Sequence, residues 1–153
     1  MTNQAVRLTG EAREVALAEA QAVRAMASDD GYRERLAGLV AAASEGEVGE
    51  EDAATLDELL ELGLQSGRIR AIYGPGGETA ALGLYRRLPR GAAVVESAAE
   101  VSEALRALEG RELGAIELRA VGPGAFTLSL AAGELELSLR LDRQGVRLSS
   151  VGV

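Results

Sequence analysis

The chain contains no cysteine, histidine, lysine or tryptophan. Without cysteine there are no disulfides, thiolate metal sites or sulfur nucleophiles, a pattern that fits a cytoplasmic protein. Without histidine, the side chain that most often moves protons near neutral pH is missing, and so is the commonest zinc ligand. Without lysine there is neither a Schiff-base residue nor a P-loop cation. All 16 basic residues are therefore arginine. Three tyrosines and one phenylalanine are too few to build a stacking platform for single-stranded nucleic acid. No apolar run approaches the ~20 residues of a membrane span. The opening "MTNQAVRLTG" lacks the basic-then-apolar order of a signal peptide. The expectations are no metal, no cofactor, no nucleic acid and no membrane. Catalysis would fall to Asp, Glu, Tyr, Ser, Thr or Arg, and the pattern shows no convergent set of them, which argues against an enzyme.

What is present is charge, unevenly spread. The 153 residues carry a formal net charge of −8. Residues 1–67 hold 14 acids and 5 arginines, and residues 92–153 hold 9 acids and 6 arginines. Residues 68–91 instead hold five arginines and only Glu78. This basic island in an acidic chain, "RIRAIYGPGGETAALGLYRRLPRG", contains the one glycine-rich stretch that suggests a ligand. Backbone amides at a helix start attract anions, and glycine allows close approach. The candidate ligand or partner residues are Arg68, Arg70, Tyr73, Gly76, Gly77, Tyr85, Arg86 and Arg87. Against a phosphate site stand the absent lysine, Thr79 where a dinucleotide fingerprint needs glycine, and Glu78 competing for the same helix dipole. The echo "GPG" at Gly122–Gly124 lies between two alternating strands and is explained as a turn. By the same token Gly74–Gly77 reads as a strand-to-helix turn, and the functional weight shifts from the glycines to the arginines.

Periodicity divides the chain. Thr9 caps a helix over about 10–27 with the stripe Val15, Ala18, Ala22 and Met26. After "SDDG", Tyr32, Leu36, Leu39, Val40 and Ala43 mark a second helix. A third starts at Asp52 and carries Leu56, Leu59, Leu60 and Leu64. The acids Glu45, Glu47, Glu50, Glu51 and Asp52 do not fit a calcium loop and suit a helix start instead. "RIRAIY" alternates like a short strand, residues 77–88 form a helix that Pro89 ends, and Ala92–Val95 looks like a buried strand. Ser97 and Glu100 have capping-box spacing for a helix burying Val101, Ala104, Leu105 and Leu108. From Gly114 the period becomes two, and four segments ending in Val146–Val153 read as an antiparallel meander.

The expected fold is a single α+β domain over 1–153. A helical subregion, 1–67, is followed by β-α-β-α and a four-stranded antiparallel sheet packed on helix, 68–153. Its polar face holds Glu117, Arg119, Thr127, Ser129, Glu136, Ser138, Arg140 and Arg147. The favoured function is a non-catalytic interaction or assembly module, binding a protein partner or a second copy of itself. The terminal strand offers an edge with no lysine or proline to blunt it. Helices followed by a curved meander are also similar to cone-shaped folds of the NTF2-like kind. That resemblance implies instead a small-molecule or anion pocket near Tyr73, Tyr85 and the arginines, or a histidine-free enzyme.

Overall fold

Thr9 and Asp29 show how differently two helix starts are secured in the computed structural model, which describes residues 4–153. Thr9 has extended backbone but makes no side-chain cap, whereas the Asp29 carboxylate accepts the Tyr32 amide at 2.7 Å. After the short strand β1 (Val6–Arg7), these residues lead into α1 (Gly10–Met26) and α2 (Asp30–Glu45). Gly46 closes α2, and β2 (Glu47–Val48) pairs antiparallel with β1 before α3 (Glu50–Gln65). Two further helices follow, α4 (Arg68–Tyr85) and α5 (Pro89–Leu105), then a 3-10 turn over Arg106–Leu108. Four eight-residue strands complete the chain: β3 (Ala115–Gly122), β4 (Ala125–Ala132), β5 (Leu135–Asp142) and β6 (Gly145–Gly152). Helices first and an antiparallel sheet last make this an α+β protein. Among the described residues no helix is long and apolar enough to cross a membrane.

The chain divides into two compact units, one ending at Ala92 and the other spanning Ala93–Val153. The boundary lies beyond residue 67 because both strands expected between the helices are helical. "RIRAIY" forms the first turns of α4. Ile69 and Tyr73 point to the core four residues apart, and Arg70, Ala71 and Ile72 between them are exposed. Six residues fit both periods, and packing chose the helical one. Ala92–Val95 lies inside α5, which begins at Pro89. A proline that cannot continue one helix suits the first position of the next, where its missing amide costs nothing. Ser97 and Glu100 are consequently mid-helix and form no capping box; the Ser97 hydroxyl donates to the Val146 carbonyl instead.

In the first unit the core gathers Val15, Ala16 and Ala20 of α1, Leu36, Leu39 and Ala43 of α2, and Leu56, Leu59 and Leu60 of α3. Ile69, Ala81 and Leu84 of α4 join them, and Leu8 and Val48 close one end. The α2 and α3 stripes match their spacing. The α1 stripe does not: Ala22 is exposed and Met26 is 71% exposed, while Ala16, Glu19 and Ala20 are buried. A helix that is alanine on several sides gives its period little contrast, so neighbours decide which side goes in.

In the second unit the strand order is β3-β4-β5-β6, each neighbour antiparallel. The register puts Ile116, Leu130, Leu137 and Val151 in one row, Leu118, Leu128, Leu139 and Leu148 in the next, and Ala120, Phe126, Leu141 and Val146 in a third. The opposite face carries Glu117, Ser129, Ser138 and Ser150, beside Arg119, Thr127, Arg140 and Arg147. The turn between β3 and β4 uses Gly124 at φ +66°, the positive value its "GPG" stretch anticipates.

Candidate functional site

The arginine and glycine segment is absorbed into the helical unit. Gly74 has φ 74° and ψ −176°, non-helical values that break α4, and Pro75 restarts the helix as its first residue. The strand-to-helix turn is thus a helix–kink–helix. Gly76 follows in the first turn of the second segment beside the Glu11 carboxylate, whose oxygen lies 3.3 Å from where a side chain at 76 would start. The chain's own acid thus lies beside this helix start, where its charge disfavours an added anion. Gly77 is buried, and a Cβ there would overlap that of Tyr73. Arg70 pairs with Glu78 at 3.2 Å on the surface.

Arg68 and Tyr73 meet on Glu19, a residue that sequence reasoning missed. The Glu19 side chain is 1% exposed; one oxygen pairs with the Arg68 guanidinium and the other accepts the Tyr73 hydroxyl at 3.0 Å. Its signal was present: Ala16, Glu19, Ala20 and Val23 share one side of α1, so an acid stands in an apolar stripe. Burial, and then the hydrogen bond to Glu19, push the Tyr73 hydroxyl up to about 12. A proton held more tightly in the folded chain contributes stability fully below the ordinary tyrosine value of 10.0. That contribution is lost as pH rises toward about 12. Ultraviolet titration should therefore show Tyr73 ionising last, and Tyr73→Phe should flatten the stability loss across that window. Ionisation of all three tyrosines together near the ordinary value would contradict the buried contact.

Tyr85 packs against the same core, and burial followed by the nearby Glu61 and Asp57 carboxylates raises its hydroxyl as well. Arg87 donates to the Arg7 carbonyl at 3.0 Å, and Arg86 is exposed. The eight candidates therefore do not converge: Arg68, Tyr73 and Gly77 hold the helices together, and the others serve separate local contacts or solvent. Tyr73 and Tyr85, around which a pocket was expected, both pack against the core of the helical unit. Asp57, also missed, is 1% exposed and accepts the Arg90 amide at 2.6 Å, while Arg90 reaches Glu61 and Glu58. Burial raises the Asp57 carboxyl against the lowering effect of Arg90. No group of three or more acids among the described residues is placed to hold a metal ion.

The sheet unit leaves a surface unaccounted for. Leu137 and Leu139 in β5 are 2% and 3% exposed, as expected for a covered face. In the same rows, Ile116 and Leu118 of β3 are each 64% exposed and Val151 of β6 is 53% exposed. The helix in this unit is α5, whose Val101 is buried and whose Ala104 and Leu105 are half-buried, as is Leu108 in the 3-10 turn that follows. It is fastened near β6 by the Ser97–Val146 bond and by Val94 lying beside Gly145. One helix is about 10 Å wide, whereas four strands about 4.8 Å apart span about 14 Å. A single helix is too narrow to cover all four strands, and Ile116, Leu118 and Val151 on the outer strands are exposed. On the polar face a shallow depression of about 210 Å³ is lined by Glu117, Ser129, Glu136, Ser138 and Ser150, among others. Comparisons of the chain with family models, with characterised proteins and with solved structures gave no match.

Proposed function

We propose that this protein is an assembly module whose C-terminal sheet associates with a second copy of the chain. The carrying observation is the pair Ile116 and Leu118, each 64% exposed in the same cross-strand rows as buried Leu137 and Leu139. Apolar side chains aligned along one strand beside a packed face are what an interface core is made of. Charge supports a like partner. The chain as a whole repels itself at −8, but residues 115–152 hold four acids and four arginines, so the sheet does not. The absence of histidine, cysteine and lysine favours assembly over catalysis. Sedimentation velocity over a wide concentration range should show reversible self-association. The doubly substituted Ile116→Glu, Leu118→Glu chain should remain monomeric with an unchanged circular dichroism spectrum. A wild-type chain that sediments as a monomer at every concentration would sink the reading.

A further inference from the structure

We infer that the two copies join edge to edge through β3, antiparallel, with Leu118 on the two-fold axis, making one continuous eight-stranded sheet. The inference rests on the assembly reading and adds the surface, the register and the role of two charges. The sheet has two edges, β3 and β6. The terminal strand β6 is the edge that sequence reasoning favours, but it is interrupted. Ser138 pairs with Ser150 and Leu139 with Leu148, so Ser149 is an extra residue that bulges the ladder in mid-strand. A bulge twists an edge away from further pairing. Its regular runs, Gly145–Leu148 and Ser150–Gly152, are four and three residues long, and Arg147 finds no acid on a second β6. In β3 the irregularity falls at Val121, beside the hairpin, and Ala115–Ala120 pairs regularly with β4. All eight residues of β3 are exposed, and none is a proline or lysine.

The charges select the register. In an antiparallel ladder only alternate residues of an edge direct their amide and carbonyl outward. When identical strands pair, partner numbers must therefore sum to an even number, and the axis passes through a residue. An axis at 117 sets Glu117 against Glu117, and one at 119 sets Arg119 against Arg119. Like charges directly opposite are destabilising. An axis at 118 sets Glu117 against the partner subunit's Arg119, and Arg119 against the partner subunit's Glu117, on the polar face. It also sets Leu118 against its own copy and Ile116 against the partner subunit's Ala120 on the apolar face. Within one chain Glu117 and Arg119 already pair at 3.1 Å while 62% and 69% exposed, so joining two such pairs makes a four-charge cluster. Main-chain bonds along the edge would supply affinity, and these four side chains the register.

Because the chain has no cysteine, a single introduced one reports contacts between copies only. With oxidised glutathione present, Leu118→Cys should convert to a covalent dimer on a non-reducing gel. Ile116→Cys and Ala120→Cys should each stay largely monomeric, yet give a crossed dimer when mixed. Glu117→Arg alone and Arg119→Glu alone should each weaken association by about tenfold, and the two together should restore it. Circular dichroism establishes that these surface variants are folded. Equal cross-linking at 116 and 118, or a double swap that fails to rescue, overturns the β3 register while a self-associating wild type leaves the assembly reading standing. A wild type that never self-associates ends both.

Discussion

Replacing Gly91 by alanine is expected to destabilise the helical unit by about 4 kcal/mol. Gly91 is buried in the first turn of α5, and a Cβ there would overlap the Tyr85 carbonyl at the end of α4. Both groups are backbone, so no rotamer change relieves the overlap, and the start of α5 must lift off α4. Lifting it also pulls the Arg90 amide from Asp57, whose carboxylate is 1% exposed and whose second oxygen already lacks a hydrogen-bond partner. Overpacking costs about 1–3 kcal/mol, and losing a hydrogen bond to a buried charged group adds about 1.5–3. The control is Gly83→Ala in α4, where the position is exposed, helical and clear of neighbours. There the same exchange should stabilise by about 0.5–1 kcal/mol, since alanine is the better helix former. All three tyrosines lie in this unit, so tyrosine fluorescence during urea unfolding reports on it alone. Equal effects at 83 and 91 would show that the close approach is not maintained in solution.

Glu19→Ala should cost about 3 kcal/mol and lower the unit's thermal midpoint by more than about 10 °C. Glu19 is buried, and removing it strands two partners at once: the Arg68 cation and the Tyr73 hydroxyl. Breaking a buried pair on one side costs about 3–5 kcal/mol. The lower end applies because the Arg68 side chain is 31% exposed and recovers some hydration. Glu19→Gln keeps an acceptor for Tyr73 and lets Arg68 turn outward, so its cost should be roughly half as large. Urea midpoints of the two variants separate the charge from the hydrogen bond. A loss below about 1 kcal/mol for Glu19→Ala would mean the acid is hydrated rather than held in the core.

Both sites bear on what can be read from a chain in isolation. In α2, α3 and all four sheet strands, leucine and valine stand against charged or small polar residues. Contrast at a fixed spacing specified each element, and in α2, α3 and β5 its inward side as well. The α+β class, the absence of residues for thiol or imidazole chemistry, and the turn at Gly122–Gly124 follow from local chemistry of that kind. Where local contrast was weak, the sequence alone was ambiguous. Alanine surrounds α1, so its buried side was set by α2 and α4. "RIRAIY" suits either period, and Pro89 suits either end of a helix. The arginines looked like a site because their partners Glu19, Glu58 and Glu61 lie tens of residues away along the chain and touch them only in the folded unit. The exposed rows on β3 and β6 are the converse. Alternation established that the sheet has an apolar face. How much of that face stays bare depends on the width of one helix against four strands, a quantity that exists only once the layers are packed.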